Sequence, residues 1–275
     1  MKFHEPTDVV VGKNSRIYVL DGVNHRVQVF ESNGNFLFKF GEFGSDEGSL
    51  NMPMGLGADR AGNIYVADTR NHRVQVFDSN GKYLKKIELP RKKGDEALPD
   101  PTDVLVVSPP DEDEKIWITD NDNHRIHIFD KDTLKLETTV GRHGFDEEGK
   151  FRYPHNMTVD SSYNVYVVDV LNTRVQVFTR AGKFLREIGE WGIKEGTFFR
   201  PKGVAVDAHD RVYVSDGYMG VVQVFTKDGE YVGVIAKDKN KELKFNVPIS
   251  IYIDGTNRLY VVQELGHKLS VFKLP

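Results

Sequence analysis

Asn63 to Phe77 reads Asn-Ile-Tyr-Val-Ala-Asp-Thr-Arg-Asn-His-Arg-Val-Gln-Val-Phe, and the chain repeats it. Arg16 to Phe30 carries Ile-Tyr-Val-Leu-Asp and then Asn-His-Arg-Val-Gln-Val-Phe. Lys115 to Phe129 carries Ile-Trp-Ile-Thr-Asp and Asn-His-Arg-Ile-His-Ile-Phe, and Asn164 to Phe178 carries Val-Tyr-Val-Val-Asp and Asn-Thr-Arg-Val-Gln-Val-Phe. Looser copies run from Arg211 to Phe225 and from Arg258 to Phe272. The closing phenylalanines, Phe30, Phe77, Phe129, Phe178, Phe225 and Phe272, are 47, 52, 49, 47 and 47 residues apart. A fixed period of this length marks an architecture in which each unit buries its apolar faces against its neighbours. Six copies nearly exhaust the 275 residues, so 1–275 is read as one domain, with repeats at about 6–52, 53–100, 101–153, 154–200, 201–247 and 248–275.

Each repeat reads as four short strands, an all-β signature. The first follows a proline (Pro6, Pro53, Pro101, Pro154, Pro201, Pro248), where the missing N–H forfeits no ladder bond. The second, Ile17 to Leu20 and its copies, is apolar at consecutive positions, as a strand covered on both faces should be. The third, such as Val27-Gln28-Val29-Phe30, is β-branched and aromatic. The fourth follows a turn glycine at Gly34, Gly81, Gly182 or Gly229. The sixth repeat stops at Leu274-Pro275, after its third strand, while Phe3-His4-Glu5-Pro6 aligns with Phe151-Arg152-Tyr153-Pro154. The last blade is therefore expected to lack its outer strand, or to have lost a clasp with upstream residues. Two stretches break the period. Ser108 to Glu114 lengthens a hairpin in repeat three, and Arg91-Lys92-Lys93, followed at once by Gly94-Asp95-Glu96, reads as a solvated connection.

The net charge of −4 offers no basic excess to attract a phosphate backbone, which disfavours nucleic acid as partner. No apolar run approaches the roughly 20 residues of a membrane span. The absence of Cys removes disulfides, thiolate catalysis and Cys-based zinc sites. Met-Lys-Phe-His-Glu-Pro has no apolar core of a signal peptide.

The repeated motif resembles the NHL-repeat family of six-bladed β-propellers, and the resemblance runs the length of the chain. It implies a ring of four-stranded antiparallel blades. Bacterial members are often exported, so the resemblance points to an extracytoplasmic location. Strand direction then puts the leading prolines and the second-to-third turns on one face, called here the proline face. The residues after each proline, Thr7-Asp8, Met54-Gly55, Thr102-Asp103, His155-Asn156, Lys202-Gly203 and Ile249-Ser250, are expected at the channel mouth.

The most conspicuous polar motif, Asp-x-x-Asn-x-Arg, occurs at Asp21, Asp68, Asp120 and Asp169. Asp and Arg five apart flank a hairpin neck and can pair across it, while Asn closes the turn. A catalytic group would occur once rather than four times, so these are read as scaffold, and His25, His72, His124 and His267 as surface turn residues. Peptidyl-glycine lyases and related six-bladed enzymes resemble the chain in Pro6-Thr7-Asp8, Pro101-Thr102-Asp103 and Asp216-Gly217-Tyr218. Those lyases place zinc-binding histidines directly after the leading proline, and here His155 alone does so. Their structural calcium implies a channel site at Asp8, Asp103 and Asn156; the alternative is a water-filled channel whose acids pair with Lys202 or with turn amides.

No Gly-x-Ser-x-Gly elbow, phosphate-binding Gly-x-x-x-x-Gly-Lys loop or His-Glu-x-x-His pair is present. No residue is assigned as catalytic and no cofactor as required. The expectation is a non-enzymatic, protein-binding scaffold that makes contact through His155, Lys202, Tyr218, Met219, Phe145 and Phe199, because the repeat does not demand them and aromatics and Met favour interfaces. The alternatives are a metal-dependent lyase or lactonase around His155, Asp8, Asp103 and Tyr218, and single-stranded RNA binding as in some animal members of the family.

Overall fold

The computed structural model describes residues 2–95, 97–238, 241–242 and 244–275. Blade one is β1 (Pro6–Val11), β2 (Ile17–Asp21), β3 (Arg26–Phe30) and β4 (Phe36–Phe40). Blade two is β5 (Gly55–Ala58), β6 (Ile64–Asp68), β7 (Arg73–Phe77) and β8 (Tyr83–Glu88), and blade three is β9 (Pro101–Val107), β10 (Lys115–Asp120), β11 (Arg125–Asp130) and β12 (Leu136–Val140). Blade four is β13 (Pro154–Val159), β14 (Val165–Asp169), β15 (Arg174–Phe178) and β16 (Phe184–Ile188). Blade five is β17 (Pro201–Val206), β18 (Val212–Asp216), β19 (Val221–Phe225) and β20 (Tyr231–Val234). A hairpin of β21 (Ala236–Asp238) and β22 (Lys241–Glu242) leads to blade six, β23 (Pro248–Ile253), β24 (Arg258–Gln263) and β25 (Lys268–Lys273). Every blade pairs its strands in chain order and antiparallel, and blade six has three, as the sequence leads one to expect.

A blade of this kind cannot stand alone, because both faces of its second strand are apolar. The pairing solution is a ring with an apolar cluster between each two neighbours. Tyr18 and Leu20 of blade one meet Leu56 and Ile64 of blade two, and clusters of the same kind join each later pair as far as blades five and six. Val9 and Val19 of blade one meet Tyr260 and Val262 of blade six, which closes the circle. Polar links reinforce that seam: Ser250 Oγ donates to Asp8 Oδ1 at 2.5 Å, and Arg258 Nη1 to the Ser32 carbonyl at 3.0 Å.

The turn before the fourth strand carries glycine at φ +92°, +82°, +84° and +95° for Gly34, Gly81, Gly182 and Gly229, a region that side chains rarely enter. Connecting loops are pinned by buried residues: Leu50, Phe151 and Phe198 form parallel bridges with Phe43, His143 and Trp191. The Ser108 to Glu114 insertion spans β9 and β10, with Asp111, Glu112 and Asp113 exposed. It is tied at its base by Arg60 to the Ser108 carbonyl and by Lys131 to Glu114. In the other insertion Arg91, Lys92 and Lys93 are solvated, while Asp95 turns inward to pair with Arg125 at 2.7 Å; Glu96 lies outside the described residues.

Candidate functional site

The four Asp-x-x-Asn-x-Arg elements build one recurring knot, in which His127 stands in blade three where the others have glutamine. Asp68, fully buried, accepts from Arg73 Nε at 2.9 Å, Asn71 Nδ2 at 2.9 Å and Gln75 Nε2 at 3.0 Å, and its other oxygen takes the Asn51 amide at 2.7 Å. Asp21, Asp120 and Asp169 do the same with Arg26, Arg125 and Arg174, and each also holds a main-chain amide of the loop leading into its blade. The third-strand glutamine was not anticipated as part of the knot. Gln75, Gln176 and Gln223 are fully buried and also accept the amides of Gly48, Gly149 and Gly196. Its signal in the sequence is an amide that recurs at a fixed place among apolar residues.

The turn histidines are clasps rather than free surface groups. His25, His72, His124 and His267 adopt left-handed φ between +48° and +58°. His25 Nδ1 accepts the Met52 amide, His124 Nδ1 the Tyr153 amide and His267 Nδ1 the Glu5 amide, at 3.0, 3.1 and 3.0 Å. Each ties a turn of one blade to the loop that enters the next blade of the ring.

The residues after the leading prolines divide in two. Asp8, Asp103 and Asn156, each the second of its pair, reach the central channel, a cavity of about 460 Å³ that they line together with Met157 and others. There Asp8 Oδ2 accepts the Leu56 amide at 2.6 Å, Asp103 Oδ2 the Met157 amide at 2.7 Å, and Asn156 Oδ1 the Val204 amide at 2.9 Å. Each side chain thus latches its blade to the next. Asp8 Oδ1 is also engaged, by the Val9 amide and Ser250, as is Asp103 Oδ1, by the Val104 amide. Burial raises the Asp8 pKa to about 6, and burial together with the Asp8 charge lifts Asp103 well above the usual carboxylate range. Calcium wants about six to eight oxygens, and this set of two carboxylates and one amide, with its oxygens turned to main-chain amides, fits it poorly. Among the described residues no cluster of three or more His, Cys, Asp or Glu could hold a metal.

The first residue of each pair is wedged at the blade boundary. Thr7 Oγ1 donates to the Pro53 carbonyl at 3.1 Å. His155 is 7% exposed, and neither of its ring nitrogens meets a hydrogen-bond partner. Burial, then the Lys202 charge, push the His155 pKa down to about 3. Its imidazole is therefore neutral at physiological pH. Burial also lowers the Lys202 pKa, against the pull of Glu264.

The aromatic candidates sit farther out on the proline face. Phe145 (58% exposed) lies 4.4 Å beneath the Arg152 guanidinium, and with Trp191 (71% exposed) it walls a groove that also contains Arg174 and Glu187. Tyr218 (68% exposed) stacks on half-buried Phe199 at 4.2 Å. Blade five departs from the knot at this place: Met219 and Val221 replace Asn and Arg, and Asp216 holds the amides of Phe199, Arg200, Tyr218 and Met219 instead. Phe145 and Trp191 share one patch, Tyr218, Phe199 and Met219 another, and His155 with Lys202 lies nearer the axis. Trp191 and Ile193, both exposed, belong with the aromatic rim and were not singled out from sequence because Trp191 occupies a repeated position.

Comparison with known proteins follows this geometry. The NHL repeat pattern matches residues 3–30 and 50–77. A stretch of 52 residues is 42% identical to Protein brain tumor of Drosophila melanogaster, covering 19% of this chain and 5% of that protein. Solved structures that share the fold at low identity include the following two. A catalytically inactive virginiamycin B lyase from Staphylococcus aureus with quinupristin has a TM-score of 0.69 at 15% identity, covering 100% of this chain and 82% of that one. A gluconolactonase from Xanthomonas campestris has a TM-score of 0.73 at 16% identity, covering 100% and 87%. At such identity the likeness speaks for the fold alone. The chain is a six-bladed β-propeller carrying NHL repeats.

Proposed function

We propose that this propeller is a protein-binding scaffold that works through its proline face. The observation that carries the reading is the concentration of large exposed apolar side chains there. Phe43, Phe145, Trp191, Ile193, Tyr218 and Leu265 all lie on its loops and turns, and all are more than half exposed. Exposed apolar surface gathered on one face of a soluble ring marks a contact surface. The repeated polar residues are consumed by knots and latches, so they supply no reacting group. Phe199 and Met219 border the rim and extend the proposed contact, whereas His155 and Lys202 lie nearer the axis and His155 is buried. The test is affinity capture from the native cell with wild type and with a combined Phe145→Ser, Trp191→Ser, Tyr218→Ser variant. A stoichiometric protein partner lost by the variant supports the reading; a partner retained in equal yield, or none, contradicts it.

The metal-dependent lyase or lactonase is the second reading, and His155 is the observation in its favour, since a buried neutral imidazole without partners is poised to accept a ligand. Zinc wants about three or four protein ligands, and the equivalent positions here are Thr7, Met54, Thr102, Lys202 and Ile249. Metal analysis of the purified protein together with a lactone hydrolysis assay separates the readings. Stoichiometric zinc with turnover abolished by His155→Ala would establish the enzyme.

A further inference from the structure

We propose that the outer edge of blade six is a docking site for an extended segment of a partner protein, added as a fourth strand. This surface is the side of the ring and does not depend on the proline face. The internal repeat supplies five control blades. Val271 is 47% exposed, whereas its counterparts Val29, Val76, Ile128, Val177 and Val224 are 0%, 0%, 1%, 0% and 7% exposed. Their cover is the fourth strand, and no described residue pairs with the free edge of β25. The next blade shows the same gap. A Cβ on Gly81, Gly182 or Gly229 would meet Phe40, Val140 or Ile188, the apolar end of the preceding blade's fourth strand. Gly34, at that place in blade one, has nothing within 4 Å. Leu269, Val271, Phe30, Gly34 and Phe3 instead line a groove of about 290 Å³.

The occupant's chemistry is written in the other blades. Phe36, Tyr83, Leu136, Phe184 and Tyr231 stand opposite the closing phenylalanine of the third strand. Four residues on come Phe40, Ile87, Val140, Ile188 and Ile235, and Gly41, Gly141 and Gly189 follow directly in three of them. The segment that fits is therefore an aromatic residue or leucine, any three residues, then Phe, Ile or Val, preferably before glycine. Its first anchor would lie across from Phe272 and its second across from Leu269, pointing into the groove. Main-chain hydrogen bonds along β25 give the affinity, and the two pockets the selectivity. A second copy is the poorer occupant, because each fourth strand among the described residues is already engaged within its own blade.

The probe is a synthetic peptide with the sequence of residues 183–192, Lys-Phe-Leu-Arg-Glu-Ile-Gly-Glu-Trp-Gly. Saturable binding to the intact chain is expected, with amide hydrogen exchange in residues 268–273 slowed on binding. Val271→Asp, a change at an exposed position, should weaken binding about tenfold or more. A peptide with serine in place of its Phe and Ile should not bind, an arm that needs no protein variant. The proposal is overturned if the wild type does not bind, if the serine peptide binds as well, or if folded Val271→Asp binds unchanged. Sedimentation that shows a stable dimer with residues 268–273 already protected would overturn it too, by assigning the edge to a second copy. A chain extended upstream of Met1 with residues 268–273 protected in the absence of peptide would overturn it by assigning the edge to the chain itself. A variant of Phe145, Trp191 and Tyr218 should leave peptide binding unchanged, so this proposal and the proline-face reading fail separately.

Discussion

Asp68, Arg73, Asn71 and Gln75 bury a charged group by giving it a full set of donors, and removing the carboxylate strands them all. Asp68→Ala should cost about 3–5 kcal/mol, read from the urea midpoint and slope. Asp21→Ala should cost less, since Arg26 is more exposed than Arg73 and can turn to water. The Asp and Arg of this knot were legible because their spacing fits a hairpin neck. The glutamine was not, since a polar residue in a strand ordinarily reads as solvent-facing, and the clasping role of the histidines depends on a loop distant in sequence. Asp8 adds a pH prediction. Its pKa rises from 3.8 unfolded to about 6 folded, so its contribution to stability is fully present below about 4 and is lost as pH rises through 6. Asp8→Asn should flatten the melting temperature against pH between 4 and 6.5, relative to wild type; an unchanged slope would remove Asp8 from the account.

At the scale of the element, the connecting loops separate stability from recognition. Phe198 is fully buried and presses on Gly189, whose φ of +81° no side chain would readily accept. Phe198→Ala should cost about 3–5 kcal/mol by leaving a cavity. Trp191, its partner in the parallel bridge, points outward, and Trp191→Ser should change stability by no more than about 0.5 kcal/mol while weakening partner capture. Chemical denaturation of the two variants side by side checks both. Trp191 and Phe198 recur as a pair, as Phe43 with Leu50 and His143 with Phe151 do, and repetition alone would make both loop pins, which is right for Phe198 but incomplete for Trp191. Repetition reveals that a position is used, not which way its side chain faces. Strands and turns were legible from period and glycine, whereas the split between the two residues after each proline needed coordinates, because the bulge at the start of the first strand decides which of them faces the channel.

For the whole molecule, the polar residues that looked most like a metal site are the fasteners of the ring. Asp8, Asp103 and Asn156 each hold the first strand of the following blade, so adding millimolar calcium or a chelator should leave the melting temperature unchanged; a rise of several degrees with calcium would restore a channel metal. Ring architecture and the three-stranded sixth blade were readable from six copies of one period, since no copy can cover its own apolar faces. Function was less readable: a scaffold repeated by necessity drowns the few residues that differ, and the departures that stand out are blade five's around Tyr218 and blade six's at Gln263, Gly266 and Lys268. Ring closure is open to one direct measurement. The chain has no Cys, so Ser32→Cys and Gly255→Cys, both at exposed turns, can carry a pair of spin labels. A closed ring places blades one and six side by side and predicts a distance on the order of 20 Å, whereas six sheets stacked in a line at about 10 Å spacing would hold the labels about 50 Å apart.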